Sequence, residues 1–92
     1  MNNEQRDMLE NESAIGRKAS SAYENFIGPF MDKKRSDLFN VFQDLSISNI
    51  ELLSETKRQL TVLNTLDDEI RTIIETGKLA SQQLSQEPLS KH

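Results

Sequence analysis

Between residues 63 and 84, Leu63, Leu66, Ile70, Ile73, Gly77, Ala80 and Leu84 recur at alternating steps of three and four, with mostly polar residues between them. A repeat averaging 3.5 residues suits a helix that keeps one stripe dry; it does not suit a strand, whose period is two. The stripe broadens where Val62 adjoins Leu63 and where Ile73 adjoins Ile74. That width suits two contact surfaces, one within the chain and one between protomers, the alternative being that the chain's own first two helices fill both flanks.

The rest of the chain reads as helix at the same period. Met8, Ile15, Ala19, Ala22 and Phe26 trace one face of a first helix, over about 4–27. Gly16 costs that helix about 1 kcal/mol relative to Ala, while Ala14, Ala19, Ser20 and Ser21 permit another backbone to come close. Gly28 and Pro29 are the strongest punctuation, because Pro lacks an N–H and restricts the residue before it. A kink or tight turn is expected there, with Pro29 in the first turn of a second helix over 29–45. Phe30, Met31, Leu38, Phe39, Phe42 and Leu45 would form its apolar face, and the aromatics Phe26, Phe30, Phe39 and Phe42 the centre of the core. Ser46–Asn49 favours a turn. Ser48 with Glu51 fits a capping box opening a third helix over 49–84. Pro88 ends any helical pattern, and 87–92 is expected to be a disordered tail.

The expected architecture is all-α: a kinked helical hairpin of three helices in a single domain, 1–86, completed as a bundle by oligomerisation. At 92 residues a lone core is marginal, so self-association is a natural route to further apolar burial. The stripe residues Leu63, Leu66, Ile70, Ile73, Ile74, Gly77 and Ala80 are the candidate association seam. Gly77 and Ala80 signal close approach of a neighbour without deciding whether that neighbour is another copy or the same chain.

Catalytic and metal chemistry find little to work with. There is no Cys, and the only His is His92, at the last position of the expected tail. Asp67, Asp68 and Glu69 are consecutive and would point about 100° apart on a helix, so they cannot converge on one cation. No Ser sits in a nucleophile-elbow pattern, and neither Gly28-Pro29 nor Thr76-Gly77-Lys78 has the spacing of a phosphate-cradling loop. The expectation is a protein that is not an enzyme and takes no cofactor or metal. No apolar run approaches the roughly 20 residues of a membrane span, and the N-terminus lacks a signal-peptide pattern, so a cytoplasmic protein is expected.

A net charge of −4 opposes non-specific binding to nucleic acid. Arg17 and Lys18, with Lys33, Lys34 and Arg35, are the residues that could contact phosphates. Asp32 and Asp37 flank the second group and balance it, so nucleic acid is the less favoured partner and protein the favoured one. An adaptor or inhibitor using the acidic residues Glu51, Glu55, Asp67, Asp68, Glu69 and Glu75 is the remaining alternative, although Lys57, Arg58, Arg71 and Lys78 make that surface mixed.

Leu63, Leu66, Asp68-Glu69-Ile70 and the run Ile73-Ile74-Glu75-Thr76-Gly77-Lys78-Leu79-Ala80 resemble the C-terminal part of small acidic helical proteins encoded by tailed bacteriophages. The resemblance covers about a third of the chain and no catalytic motif. It implies an accessory part in particle assembly, DNA packaging or host takeover, including a place in the virion, or a small inhibitor that binds a host protein.

Overall fold

A computed structural model of the chain describes residues 1–44 and 49–86, and all of these except Met1, Asn2 and Asn49 are helical. The protein is all-α. Helix α1 spans Asn3–Ala22, a π-helical turn spans Tyr23–Ile27, α2 spans Gly28–Asp44 and α3 spans Ile50–Gln86. The expected Leu45, the turn at 46–48 and the tail at 87–92 lie outside the described residues.

The caps explain where the helices begin. Asn2 Oδ1 accepts from the Gln5 N–H at 2.7 Å, and Gln5 Oε1 accepts from the Asn2 N–H at 3.2 Å. That is a reciprocal box satisfying two donors that the first turn leaves without partners. At α3 the observed cap is Asn49, whose Oδ1 accepts from the Leu52 N–H at 3.4 Å while its carbonyl accepts from Leu53. The cap expected at Ser48 falls outside the described residues.

Gly28-Pro29 does not interrupt the helix as expected. The preceding five residues widen into a π turn, and α2 starts at Gly28 with Pro29 in its first turn. In a regular helix the Pro29 ring would meet the carbonyl of Asn25 and that carbonyl would lose its donor. A wider turn over that carbonyl accommodates both problems without breaking the chain out of helix. Gly28 is buried, and a Cβ there would lie 3.0 Å from both the Tyr23 carbonyl oxygen and the Tyr23 ring.

The chain divides into two compact units, Met1–Ala22 with the chain from Ile70 onward, and Tyr23–Glu69. In the first unit α1 runs antiparallel to the C-terminal part of α3, and Ser13 meets Ser81 where Gly16 meets Gly77. A Cβ placed on either glycine would stand 2.6 Å from the other glycine's Cα, so the two backbones touch at this crossing. In the second unit the π turn and α2 run antiparallel to the N-terminal part of α3, with Tyr23 opposite Asp67 and Arg35 opposite Asn64 and Asp67.

The expected apolar face of α1 is overturned, and that of α2 holds only at Met31 and Leu38. On α1 the buried residues are Ser13 and Gly16, whereas Met8 and Ile15 are 59% and 48% exposed. The cause is the glycine crossing: backbones this close admit only small side chains between them, so the large apolar ones rotate outward. On α2 the buried line is Met31 and Leu38, seven residues apart. Phe30 and Phe39 each sit one residue, hence about 100°, off that line, and Phe26 lies on the π turn. The aromatic cluster is therefore not the core: Phe26, Phe30, Phe39 and Phe42 are all exposed.

Replacing Gly16 with Ala should lower the thermal midpoint even though Ala gains about 1 kcal/mol in helix propensity, because overpacking against backbone costs roughly 1–3 kcal/mol. Asn11→Ala, at an exposed position of the same helix, should raise the midpoint. Circular dichroism melts of the two variants provide the check, and a Gly16→Ala protein as stable as Asn11→Ala would remove the glycine crossing from the fold.

Candidate interaction surfaces

The glycine crossing fixes what lies on either flank of the first unit. The contacts of Ser13 with Ser81 and of Gly16 with Gly77 set an antiparallel register. By helix phase one flank of the contact line carries Met8, Ile15, Ala19 and Ala22 from α1, with Ile73, Thr76 and Ala80 from α3. Met8, Ile15 and Ala22 are spaced by seven residues, as are Ile73 and Ala80. Ala80 is fully covered and Ile73 is 44% exposed, so this flank is an apolar strip whose rim is open to solvent.

The opposite flank is mixed, with cations and hydroxyls set among apolar surface. Ser13, Gly16, Arg17 and Ser20 of α1 and Ile74, Gly77, Lys78, Ser81 and Gln82 of α3 line an open groove of about 400 Å³. Ser13 is buried and lies 2.5 Å from Ser81, hydroxyl to hydroxyl, while it accepts from an Arg17 guanidinium N–H at 2.7 Å. Lys78 Nζ lies 3.4 Å from Glu75 across exposed surface.

In the second unit the organising group is Asp67, a carboxylate only 5% exposed. It accepts from the Tyr23 hydroxyl at 2.5 Å and pairs with Arg35 at 3.0 Å. The Arg35 guanidinium also donates to Asn64 at 3.1 Å and Asp32 at 3.2 Å. A buried charge is tolerated only when its lone pairs are occupied in this way. Thr56, also buried, returns its hydroxyl to the Leu52 carbonyl at 2.8 Å. A second open groove, about 290 Å³, runs beside Leu38, Val62, Leu63 and Leu66, with Lys34 and Arg58 at its edge.

The seam residues fall into two groups. Leu63, Gly77 and Ala80 are buried within the chain, and Ile70 and Ile74 are half-buried. Leu66 and Ile73, at 47% and 44% exposure, are the members still open to a partner. The candidate phosphate contacts also separate. Arg17 and Lys18 belong to the first unit and residues 33–35 to the second. Lys33 pairs with Asp37 at 2.9 Å across exposed surface, and Arg35 is engaged by Asp32 and by the buried Asp67.

Sequence reasoning missed Met8 and Ile15 as flank residues of the same contact, and missed Asp67 as a buried hub. The first was recoverable from the seven-residue spacing read together with Gly16 and Gly77. The second was not, since Asp67 sits in an acidic run that looks solvated. Among the described residues no helix is long and apolar enough to cross a membrane, and no cluster of three or more His, Cys, Asp or Glu is placed to hold a metal ion.

Removing the Tyr23 hydroxyl in Tyr23→Phe should cost about 1 kcal/mol, and Asp67→Ala about 2–4 kcal/mol, because it strips partners from both Tyr23 and Arg35. Urea unfolding of the single and double variants tests the hub: in an Asp67→Ala background the Tyr23→Phe change should add almost nothing, whereas full additivity would mean that the two groups do not interact.

In comparisons with protein-family models, curated proteins and solved structures, this chain has no significant match.

Proposed function

We propose that this protein is a non-enzymatic assembly module that associates with a second copy of itself through the apolar seam of α3 and the flank of α1 beside it. The observation that carries this reading is the thinness of the chain's own core. Met31, Leu38 and Leu63 are the only large apolar side chains buried among the described residues, against fourteen that are exposed, and no side chain is fully enclosed. A helical protein of this length held by so few buried side chains is short of the apolar burial that offsets chain entropy.

Seven-residue spacing of apolar residues on both helices of the first unit suits packing of one helix pair against its symmetry mate, since a two-fold interface brings the same strip from each copy together. Ile73, Met8 and Ile15 are the residues assigned to that contact. The exposed phenylalanines of the second unit supply further apolar surface to an assembly.

Contact with nucleic acid through residues 33–35 is disfavoured by the ion pairs that already hold Lys33 and Arg35. The setting implied by the phage resemblance is an accessory part of a particle or packaging apparatus, where many copies of a small module associate.

Light scattering after size exclusion should give a stable multiple of 10.5 kDa across a dilution series, and Ile73→Asp should shift the mass to that of one chain with most helical signal retained. A wild-type protein that stays monomeric at every concentration, or an Ile73→Asp variant that keeps the full mass, would overturn the proposal.

A further inference from the structure

We infer that the groove of the first unit that carries Arg17 and Lys78 binds a phosphate group. The groove is lined by residues of α1 and α3 that include Arg17, Lys78 and the hydroxyls of Ser20 and Ser81, and no carboxylate lines it. In a chain with 15 acidic residues against 11 basic ones, a depression lined by Arg17 and by Lys78, with Glu75 beside Lys78 as the one paired acid, departs from the overall field.

Arg17 is the centre of the site. One of its N–H groups is donated to Ser13, a neutral and buried hydroxyl that is itself held by Ser81. That contact orients the guanidinium without neutralising it, because no carboxylate of the described residues lies within ion-pair distance of Arg17. A guanidinium has five N–H donors in a fixed fork that matches the oxygens of a phosphate. With one donor spent on Ser13, the remainder can meet an anion in bidentate fashion, the geometry in which arginine binds phosphate most strongly.

Gly16 and Gly77 lie between the two walls of the groove, each filling the space that a Cβ on the other would take, so they hold the walls at a fixed separation without adding side chains. Lys78 supplies a second positive charge, and its exposed pairing with Glu75 at 3.4 Å is weak enough to yield to a dianion. Ser20 and Gln82 add neutral hydrogen-bonding groups at the rim. The groove of about 400 Å³ exceeds a bare phosphate and has space for a small phosphomonoester.

This site lies on the flank opposite the apolar strip assigned to self-association, so it is independent of that reading. The test is a titration of the full ¹⁵N-labelled chain with inorganic phosphate at constant ionic strength, with chloride as the control and glycerol phosphate as the second probe. Saturable shifts should be concentrated at Gly16, Arg17, Gly77, Lys78 and Gln82. Arg17→Gln should weaken the apparent affinity about tenfold or more, since it removes a charge-assisted pair. Ser13→Ala should weaken it less, by releasing the positioning of Arg17, and Lys57→Gln, at an exposed position of the second unit, should leave it unchanged. Tighter binding of glycerol phosphate would identify the natural ligand as a phosphomonoester, and tighter binding of inorganic phosphate would identify it as the free ion. Linear shifts spread over Lys18, Lys34 and Lys57, or an Arg17→Gln spectrum that keeps both its helical dispersion and its phosphate response, would overturn the site.

Discussion

The backbone contact between Gly16 and Gly77 governs the first unit. A Cβ on either residue would lie 2.6 Å from the Cα of the other, a separation that real side chains do not reach. Everything else in that unit follows from how near the helices come. Only Ser13 and small neighbours fit between them, so a pair of hydroxyls occupies the interior where leucines would stand in an ordinary hairpin. The large apolar residues of α1 are left on the outside because no space remains within. Close approach offsets part of the lost apolar burial through dispersion contacts between backbones, but it does not replace a core.

The second unit solves the same shortage of core by another route. Asp67 is buried with two side-chain partners, and Arg35 distributes its donors over Asp67, Asn64 and Asp32. Such a cluster contributes little net stability, because removing a carboxylate from water costs several kcal/mol that its partners then return. Its effect is on register. A slide of α2 along α3 would strand a buried charge, and a slide of the π turn would strand the Tyr23 hydroxyl, so the polar groups fix an alignment that Met31, Leu38 and Leu63 alone would hold loosely. The π turn belongs to this arrangement: Gly28 packs against the Tyr23 ring, and the ring carries the hydroxyl that reaches Asp67.

How much of this was legible depends on which property of a residue carries the information. Helical class and the extents of α2 and α3 were read to within a residue or two, because periodicity and breakers act locally. The C-terminal seam was visible as a stripe, and the capacity of Gly77 and Ala80 for close approach was visible as small size, whereas Gly16 read only as a weak point of its helix. The pairing of Gly16 with Gly77 was not, since it is a property of two helices meeting. That one missing fact inverted the expected face of α1, which by period runs through Met8 and Ile15 and leaves out Ser13. The aromatic residues misled for a related reason: large apolar side chains near a bend invite assignment to the core, yet the buried line of α2 passes through their sequence neighbours Met31 and Leu38. Asp67 illustrates the opposite case, a charge indistinguishable in sequence from exposed Asp68 until Tyr23 and Arg35 are found beside it.

A crossing made from small residues also explains how one helix pair can offer two chemically distinct flanks. When large side chains fill an interface they spread over both of its edges and leave each edge mixed. Where glycine meets glycine and serine meets serine, the interface is narrow, and the residues beside it on either hand are free to differ. Here one hand carries Met8, Ile15 and Ile73, and the other carries Arg17, Lys78 and Gln82. An apolar strip gains by being covered, whereas a cationic groove gains by meeting a hydrated anion. Separating them by a dry, narrow crossing lets the first be buried by a partner without desolvating the second. Mixing them would bury cations in the association surface at a cost that small exposed ion pairs could not offset.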